Sequence, residues 1–132
     1  MSTALLVIDV QAGLFAKKTP ILHAEALLAN IEALVARARR DGVPVFYVQH
    51  TGVGLVQGSE GWQLHRRLQP AAGERIIGKC HPSALKDTPL CDELQRHSNF
   101  SPKAAEIIAE ANEKLAAAGA SVLPAAEVRL GV

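Results

Sequence analysis

Two charged residues, Asp9 and Lys79, each stand at the end of a short apolar run. Asp9 closes the run from Ala4 to Ile8, and Lys79 follows Arg75-Ile76-Ile77-Gly78. A carboxylate can accept a proton and an ammonium group can stabilise negative charge, so these residue types suit acid–base chemistry. Each also has an ordinary structural explanation, because Asp9 could cap the following turn and Lys79 could be a solvated loop residue.

The chain contains two cysteines, Cys80 and Cys91, which are too few for a disulfide framework. Cys80 adjoins Lys79, but adjacent side chains on an extended chain point in opposite directions, so we do not expect it to act as a nucleophile. Cys91 falls in the first turn of a predicted helix, where a thiol can be acidified. The sequence favours the other interpretation of Cys91, a small and partly buried packing residue.

Four further residues near the predicted strand ends are candidates for substrate binding. Gln11 could orient Asp9 or merely begin a loop, and His50 could be a metal ligand or contact a substrate. Phe15 and Trp62 could line an apolar pocket over the strand ends, or they could pack the loop against the sheet.

Apolar periodicity predicts alternating strands and helices. The apolar run over residues 4–9, closed by Asp9, indicates a strand buried on both faces of a parallel sheet. Residues 44–49 predict a second buried strand, and residues 75–78 predict a short third strand that ends at Lys79. Helical spacing starts at Leu27 and ends at Asp41-Gly42, where glycine suits a left-handed position. The remaining segments are predicted as a loop over 51–61, a short helix over 62–68, helices starting at Thr88-Pro89 and Ser101-Pro102, and a last strand over 120–123.

The strand predicted over residues 4–9 would have one edge without an obvious neighbouring strand. A strand that is apolar on both faces belongs inside a sheet, but the chain supplies few strands to flank it. Either strand 120–123 pairs beside it or a second chain covers it. We therefore expect a homo-oligomer as one outcome.

Length and composition predict a single domain over residues 1–132. Hydrophobic residues make up 48% and charged residues 20%, and the net charge of +1 without a basic stripe argues against nucleic-acid binding. No apolar run approaches the ~20 residues of a membrane span. The apolar start lacks a basic leader and a cleavage site, so we expect a cytoplasmic protein with no membrane association.

Taken in order, several segments resemble the isochorismatase-like cysteine hydrolases, a superfamily that includes nicotinamidases, N-carbamoylsarcosine amidases and isochorismatases. These segments are residues 4–15 (ALLVIDVQAGLF), 48–50 (VQH), 58–62 (GSEGW), 76–85 (IIGKCHPSAL) with Thr88 and Leu90, and 97–128. The resemblance implies a three-layer α/β/α, doubly wound parallel sheet. It also implies hydrolysis of a small amide or related C–N (or vinyl ether) compound through a covalent cysteine adduct.

In that superfamily an aspartate, a lysine and a cysteine converge at the carboxyl ends of the strands. By resemblance, Asp9 matches the aspartate that takes the thiol proton, and Lys79 matches the lysine that stabilises negative charge. Nicotinamidase-type members also hold a metal with one Asp and two His. Residues 50–60 contain no Asp-x-His cluster, so we expect neither a metal nor another cofactor.

The superfamily's fourth strand, the turn that carries its cysteine, and its fifth strand have no counterpart in this sequence. The chain passes from Gln95–His97 almost directly to its C-terminal segment, which predicts an internal deletion of roughly forty to fifty residues and a sheet shortened in its second half. We expect hydrolysis to be lost or severely impaired. Two alternatives stay open: a non-catalytic binding or self-associating subunit, and a sequence that is part of a longer, ordinary enzyme.

Overall fold

The structure is a computed structural model and describes residues 3–18, 21 and 23–97. Within these ranges the elements are, in order, β1 (Leu5–Ile8), α1 (Ala12–Phe15), α2 (Ala24–Arg40), β2 (Val45–His50), β3 (Arg75–Lys79) and α3 (Leu90–His97). The helix predicted after Ser101-Pro102 and the strand predicted at 120–123 lie outside the described residues.

The three strands form one parallel sheet in the order β1-β2-β3, with β2 in the centre. Side chains alternate along a strand, so Val45 and Tyr47 face a buried cluster with α2, whereas Phe46 and Val48 face a second cluster with α3. The two helices therefore cover opposite faces of the sheet. This arrangement confirms the α/β class and the three layers predicted from the sequence.

Helix α2 ends where the sequence predicts. Gly42, directly after the Asp41 cap, has a φ of +70°, a left-handed conformation that glycine adopts without strain. Three arginines occupy the last turn, where cations interact favourably with the helix dipole. The buried residues of α2, which hold it against the sheet, are Leu28, Val35 and Ala38.

A polar network stands at the amino end of the sheet. Glu74, just before β3, accepts two hydrogen bonds from Arg39, at 3.0 and 2.8 Å, and one from the hydroxyl of Tyr47 at 3.2 Å. The bond from Arg39 holds the pKa of Glu74 below its usual value. Burial, together with the Glu74 charge, raises the pKa of Tyr47 to about 12. The network ties α2 to the start of β3.

The prediction of a short helix over residues 62–68 is wrong. This segment consists of turns and forms an antiparallel bridge between Leu64 and Gln11. The amide of Ala12 donates to the carbonyl of Gln63 at 2.9 Å, and the amide of His65 donates to that of Val10 at 2.9 Å. Because its backbone groups pair with the chain leaving β1, the segment does not form the repeating bonds of a helix.

An apolar groove of about 290 Å³ follows the outer edge of β1. Among the described residues, β1 pairs with β2 alone, so its other edge is open. The groove is lined by all of β1, by Leu14, Phe15 and Ile21, and by one flank of α2 formed by Leu27, Ile31 and Leu34. Within the described residues, β1 therefore has the unpaired edge that the sequence predicts.

None of the helices in the described ranges is long and apolar enough to cross a membrane.

Candidate functional site

The carboxyl ends of the three strands bring Asp9, His50 and Lys79 together. Asp9 directly follows β1, His50 ends β2 and Lys79 ends β3. The amide of Asp9 donates to the carbonyl of Val48 at 2.9 Å, and His50 lies opposite Lys79 in the β2–β3 register. Parallel strands end at one edge of the sheet, so three residues distant in sequence meet there.

Lys79 is the buried centre of this group, with a side chain that is 2% exposed. Its Nζ lies 3.2 Å from Oδ2 of Asp9, 3.1 Å from Nδ1 of His50 and 3.1 Å from the carbonyl oxygen of His81. An ammonium group has three protons and no acceptor, so these three acceptors match it fully. With a charged Lys79 as the donor, Nδ1 of His50 is assigned as the acceptor of this contact.

Asp9 has an unusual backbone and an unused oxygen. Its φ is +60°, in the left-handed region that aspartate and asparagine tolerate better than most residues. Its Oδ2 contacts Lys79, while Oδ1 is buried and has no hydrogen-bond partner in the described part of the chain. A buried acceptor without a donor costs about 1–3 kcal/mol. A donor group arriving at this oxygen would remove that penalty, which is the property expected of a proton acceptor.

Gln11 forms hydrogen bonds with the backbone next to the site, and none of its bonds in the described part of the chain is to Asp9. Its side chain is fully buried; the amide nitrogen donates to the carbonyls of His50 at 3.0 Å and Trp62 at 2.8 Å. Its oxygen accepts from the amide of His50 at 2.9 Å. Both side-chain N–H groups are therefore used within the protein, and the predicted contact with a substrate stays a prediction.

Gln49 is not among the residues predicted for the site, but it is also buried, and its side-chain amide donates to the Trp62 carbonyl at 3.1 Å. A glutamine inside an otherwise apolar strand is the signal that could have identified it, since a buried amide needs a partner.

Phe15 and Trp62 occupy different places. Phe15 lines the groove beside β1, and its ring meets that of His65 edge to face at 5.0 Å. Trp62 donates from its indole nitrogen to the hydroxyl of Thr51 at 3.0 Å, which ties two loop segments together. Both residues thus have packing roles, and their contact with a substrate stays a prediction.

Neither cysteine belongs to the group around Lys79. Cys80 is exposed, as expected for the residue after Lys79 on an extended chain. Cys91 packs against the apolar cluster beneath α3, which agrees with the packing role that the sequence favoured. In the described ranges, no three His, Cys, Asp or Glu side chains are grouped so that they could hold a metal ion.

A comparison with protein-family models matches residues 3–100 to the isochorismatase domain. A curated relative, the uncharacterised isochorismatase family protein YddQ of Bacillus subtilis, is 35% identical over 101 residues, covering 72% of this chain and 56% of the relative. A streptothricin hydrolase of Streptomyces noursei is 36% identical over 94 residues, covering 69% of this chain and 37% of the relative. The chain spans about half or less of the length of these relatives.

Solved structures show the same fold. An isochorismatase from Pseudomonas putida superimposes with a TM-score of 0.65 at 32% identity, covering 70% of this chain and 50% of the other. N-carbamoylsarcosine amidase from Thermoplasma acidophilum superimposes with a TM-score of 0.68 at 22% identity, covering 74% and 62%. At that identity the second likeness concerns the fold alone. The predicted likeness of residues 101–128 to the family's C-terminal segment lies beyond the matched stretch.

Proposed function

Because this chain belongs to the isochorismatase family, we propose that Asp9 and Lys79 form the acid–base half of a cysteine-hydrolase site. Its substrate would be a small amide or related C–N (or vinyl ether) compound. The chain's only cysteines are Cys80 and Cys91, and neither lies with the pair. Hydrolysis by this chain alone should therefore be lost or severely impaired.

The contact between Lys79 and Asp9 is the observation that carries this proposal. A buried ammonium 3.2 Å from one carboxylate oxygen keeps that oxygen occupied, while the second oxygen, Oδ1, has no donor among the described residues. A thiol that donates its proton to Oδ1 would become a thiolate beside a cation, which is the arrangement that activates a sulfur nucleophile. His50 and Gln11 would keep the geometry rigid without entering the proton transfer.

An exogenous thiol offers a direct test, because it can supply the nucleophile that the chain lacks. The thiol sulfur would bond to the substrate carbonyl carbon as its proton passes to Asp9; the C–N bond then breaks, and ammonia leaves with that proton. Water finally hydrolyses the thioester formed from nicotinamide to the acid, or the thiocarbamate formed from N-carbamoylsarcosine to the carbamic acid, and returns the thiol. Nicotinamide and N-carbamoylsarcosine both carry a releasable amide nitrogen and serve as the substrates to be tested.

We expect ammonia release at the buffer rate without thiol and an increase when β-mercaptoethanol is added. The increase should disappear in Asp9→Asn and persist in Asp92→Asn, which changes an exposed aspartate of α3 in the same way. An increase of equal size in both variants would contradict the role of Asp9. Turnover without thiol that Cys80→Ser abolishes would contradict the absence of a working nucleophile.

We further propose that the natural ligand is a small molecule and that the site works without a metal. Three groups contact the ammonium of Lys79, namely the Asp9 carboxylate, the His50 imidazole and the His81 carbonyl. In the described ranges they do not form a cluster of three side-chain ligands that could hold a metal ion. Dialysis against a chelator should therefore leave thiol-dependent ammonia release unchanged, and a loss that zinc restores would contradict this expectation.

A further inference from the structure

Residues 61–65, which we call the clasp, pair with the chain that leaves β1 directly after Asp9. Backbone hydrogen bonds of 2.8–2.9 Å join the two segments, and they run from Ala12 to Gln63, from Gly13 to Gly61 and from His65 to Val10. The clasp therefore fixes the backbone next to Asp9, whose carboxylate contacts Lys79.

The imidazole of His65 closes the turn at the end of the clasp. Its Nδ1 lies 3.2 Å from the backbone nitrogen of Arg67, a group that can only donate, so Nδ1 is assigned as the acceptor and the ring as neutral. The ring also meets that of Phe15 edge to face at 5.0 Å. A second proton on the ring would have to occupy Nδ1, where it would face the N–H of Arg67. Protonation of His65 therefore breaks this hydrogen bond.

The charges around His65 also disfavour its protonation. Arg66 and Arg67 lie on its own segment, whereas α1 presents only uncharged residues. On α2, Glu25 and Glu32 favour the charged ring, but both form ion pairs with Arg67. Burial of the ring, followed by the charges of the two arginines, holds the pKa of His65 below its usual value.

We propose that His65 is an acid-sensitive switch: its neutral ring holds the clasp against the chain leaving β1, and its protonation releases the clasp. A released segment takes up the proton at the ordinary histidine pKa of about 6.5. Because the pKa is lower in the closed clasp, the contribution of the neutral ring is complete above pH ~6.5 and is lost as the pH falls below that value. Release would also separate the Trp62 carbonyl from the side-chain amides of Gln11 and Gln49 that it binds.

Hydrogen exchange at the amides of Ala12 and Gly13 measures closure of the clasp, since both amides donate to it. Each rate is compared with that of an unstructured peptide at the same pH, which gives a protection factor. Between pH 7.5 and pH 5 this protection should fall at least ~3-fold more than the protection of Phe46 and Val48, which lie in the central strand. An equal change at all four amides would overturn the inference.

Two asparagine variants identify the group that titrates. His65→Asn should remove the fall in protection, because its side-chain oxygen stands on Cγ as Nδ1 does and accepts a hydrogen bond without titrating. His23→Asn is the matched control, since His23 is exposed and has a φ of +56° that asparagine tolerates. It should leave the fall unchanged. A fall that persists in His65→Asn, or that disappears in both variants, would overturn the inference.

A second measurement keeps the inference testable if His65→Asn does not fold. In the unmodified chain at pH 7.5, nitrogen NMR signals of His65 should show Nδ1 without a proton and Nε2 with one. On acidification the ring should become charged at a lower pH in the folded chain than in the chain unfolded by urea. A protonated Nδ1 at pH 7.5, or the same titration in both states, would overturn the inference. Both measurements are independent of catalysis by Asp9 and Lys79.

Discussion

Neutralising Asp9 should destabilise the fold more than removing the charge of Lys79. At the 3.2 Å that separates Nζ from Oδ2, the attraction at an effective dielectric constant of about 20 is on the order of 5 kcal/mol before desolvation is subtracted. The two charges differ in their access to water, since the side chain of Lys79 is 2% exposed and that of Asp9 is 37% exposed. The ammonium therefore depends on the carboxylate, whereas the carboxylate can be hydrated.

Asp9→Asn isolates this effect, because asparagine keeps the side-chain shape and tolerates the φ of +60°. It leaves a buried ammonium with two neutral acceptors, and we expect a loss of about 2–3 kcal/mol, below the full range for a wholly buried pair. Lys79→Met leaves a carboxylate that water can reach, with an expected loss of about 1–2 kcal/mol. The double variant should show a coupling free energy of about 1–2 kcal/mol.

Urea unfolding of the four proteins at neutral pH, followed by far-ultraviolet circular dichroism, measures these differences from the midpoint at constant slope. Two results would refute the reasoning. A loss in Lys79→Met that exceeds the loss in Asp9→Asn would mean that the ammonium is the better hydrated partner. A coupling free energy near zero would mean that the two groups do not form the pair. Asp92→Asn again serves as the surface control, with little expected change.

Three further changes test the packing and the polar network. Burial raises the pKa of Tyr47 to about 12. Its neutral phenol therefore stabilises the fold fully below pH 10, and this contribution is lost as the pH rises through 12. In denaturant titrations, the free energy of unfolding of the parent chain should fall by about 2–3 kcal/mol more than that of Tyr47→Phe between pH 10 and pH 12. Gly13→Ala would place a Cβ 3.0 Å from a carbonyl oxygen of the facing loop and should lower the free energy of unfolding by about 1–3 kcal/mol. The control Gly78→Ala would place its Cβ where no atom lies within 4 Å and should be nearly neutral. Equal losses in the two variants would contradict the close approach at Gly13. Gln11→Leu removes the partner of the His50 amide and carbonyl, whereas the Trp62 carbonyl keeps its bond from Gln49. It should cost about 2–3 kcal/mol, against little change for the exposed Gln57→Leu. A near-neutral Gln11→Leu would show that water replaces the amide.

The sequence predicted those parts of the fold whose signals are local. Short segments rich in apolar residues identified all three strands, and Thr88-Pro89 marked the start of α3, where the Thr88 hydroxyl accepts from the amide of Leu90 at 3.4 Å. The helix predicted over residues 62–68 does not form because backbone pairing with the chain after β1 overrides the local preference of this segment. That pairing joins segments about fifty residues apart, and no local pattern reports it.

The sequence placed Asp9, His50 and Lys79 at the ends of predicted strands, but it did not predict the contacts among their side chains. Family resemblance selected Asp9 and Lys79, and the structure brings them together with His50. Their catalytic role stays a prediction. The bond between Lys79 and His50 depends on the register of β2 against β3, and the register is set by packing across the sheet. The contacts of Gln11 also depend on tertiary packing, because its hydrogen-bond partners lie 39 and 51 residues away in the sequence. The predicted deletion near Gln95–His97, the cytoplasmic location and the self-associating alternative stay predictions.

The open edge of β1 also has a consequence for handling this protein. Residues 4–8 carry no charge and no proline, and four of the five are leucine, valine or isoleucine. Such a segment at a sheet edge is a template for intermolecular β-pairing and for aggregation. A form of the protein in which this edge is left without a neighbouring strand should therefore be prone to form insoluble material.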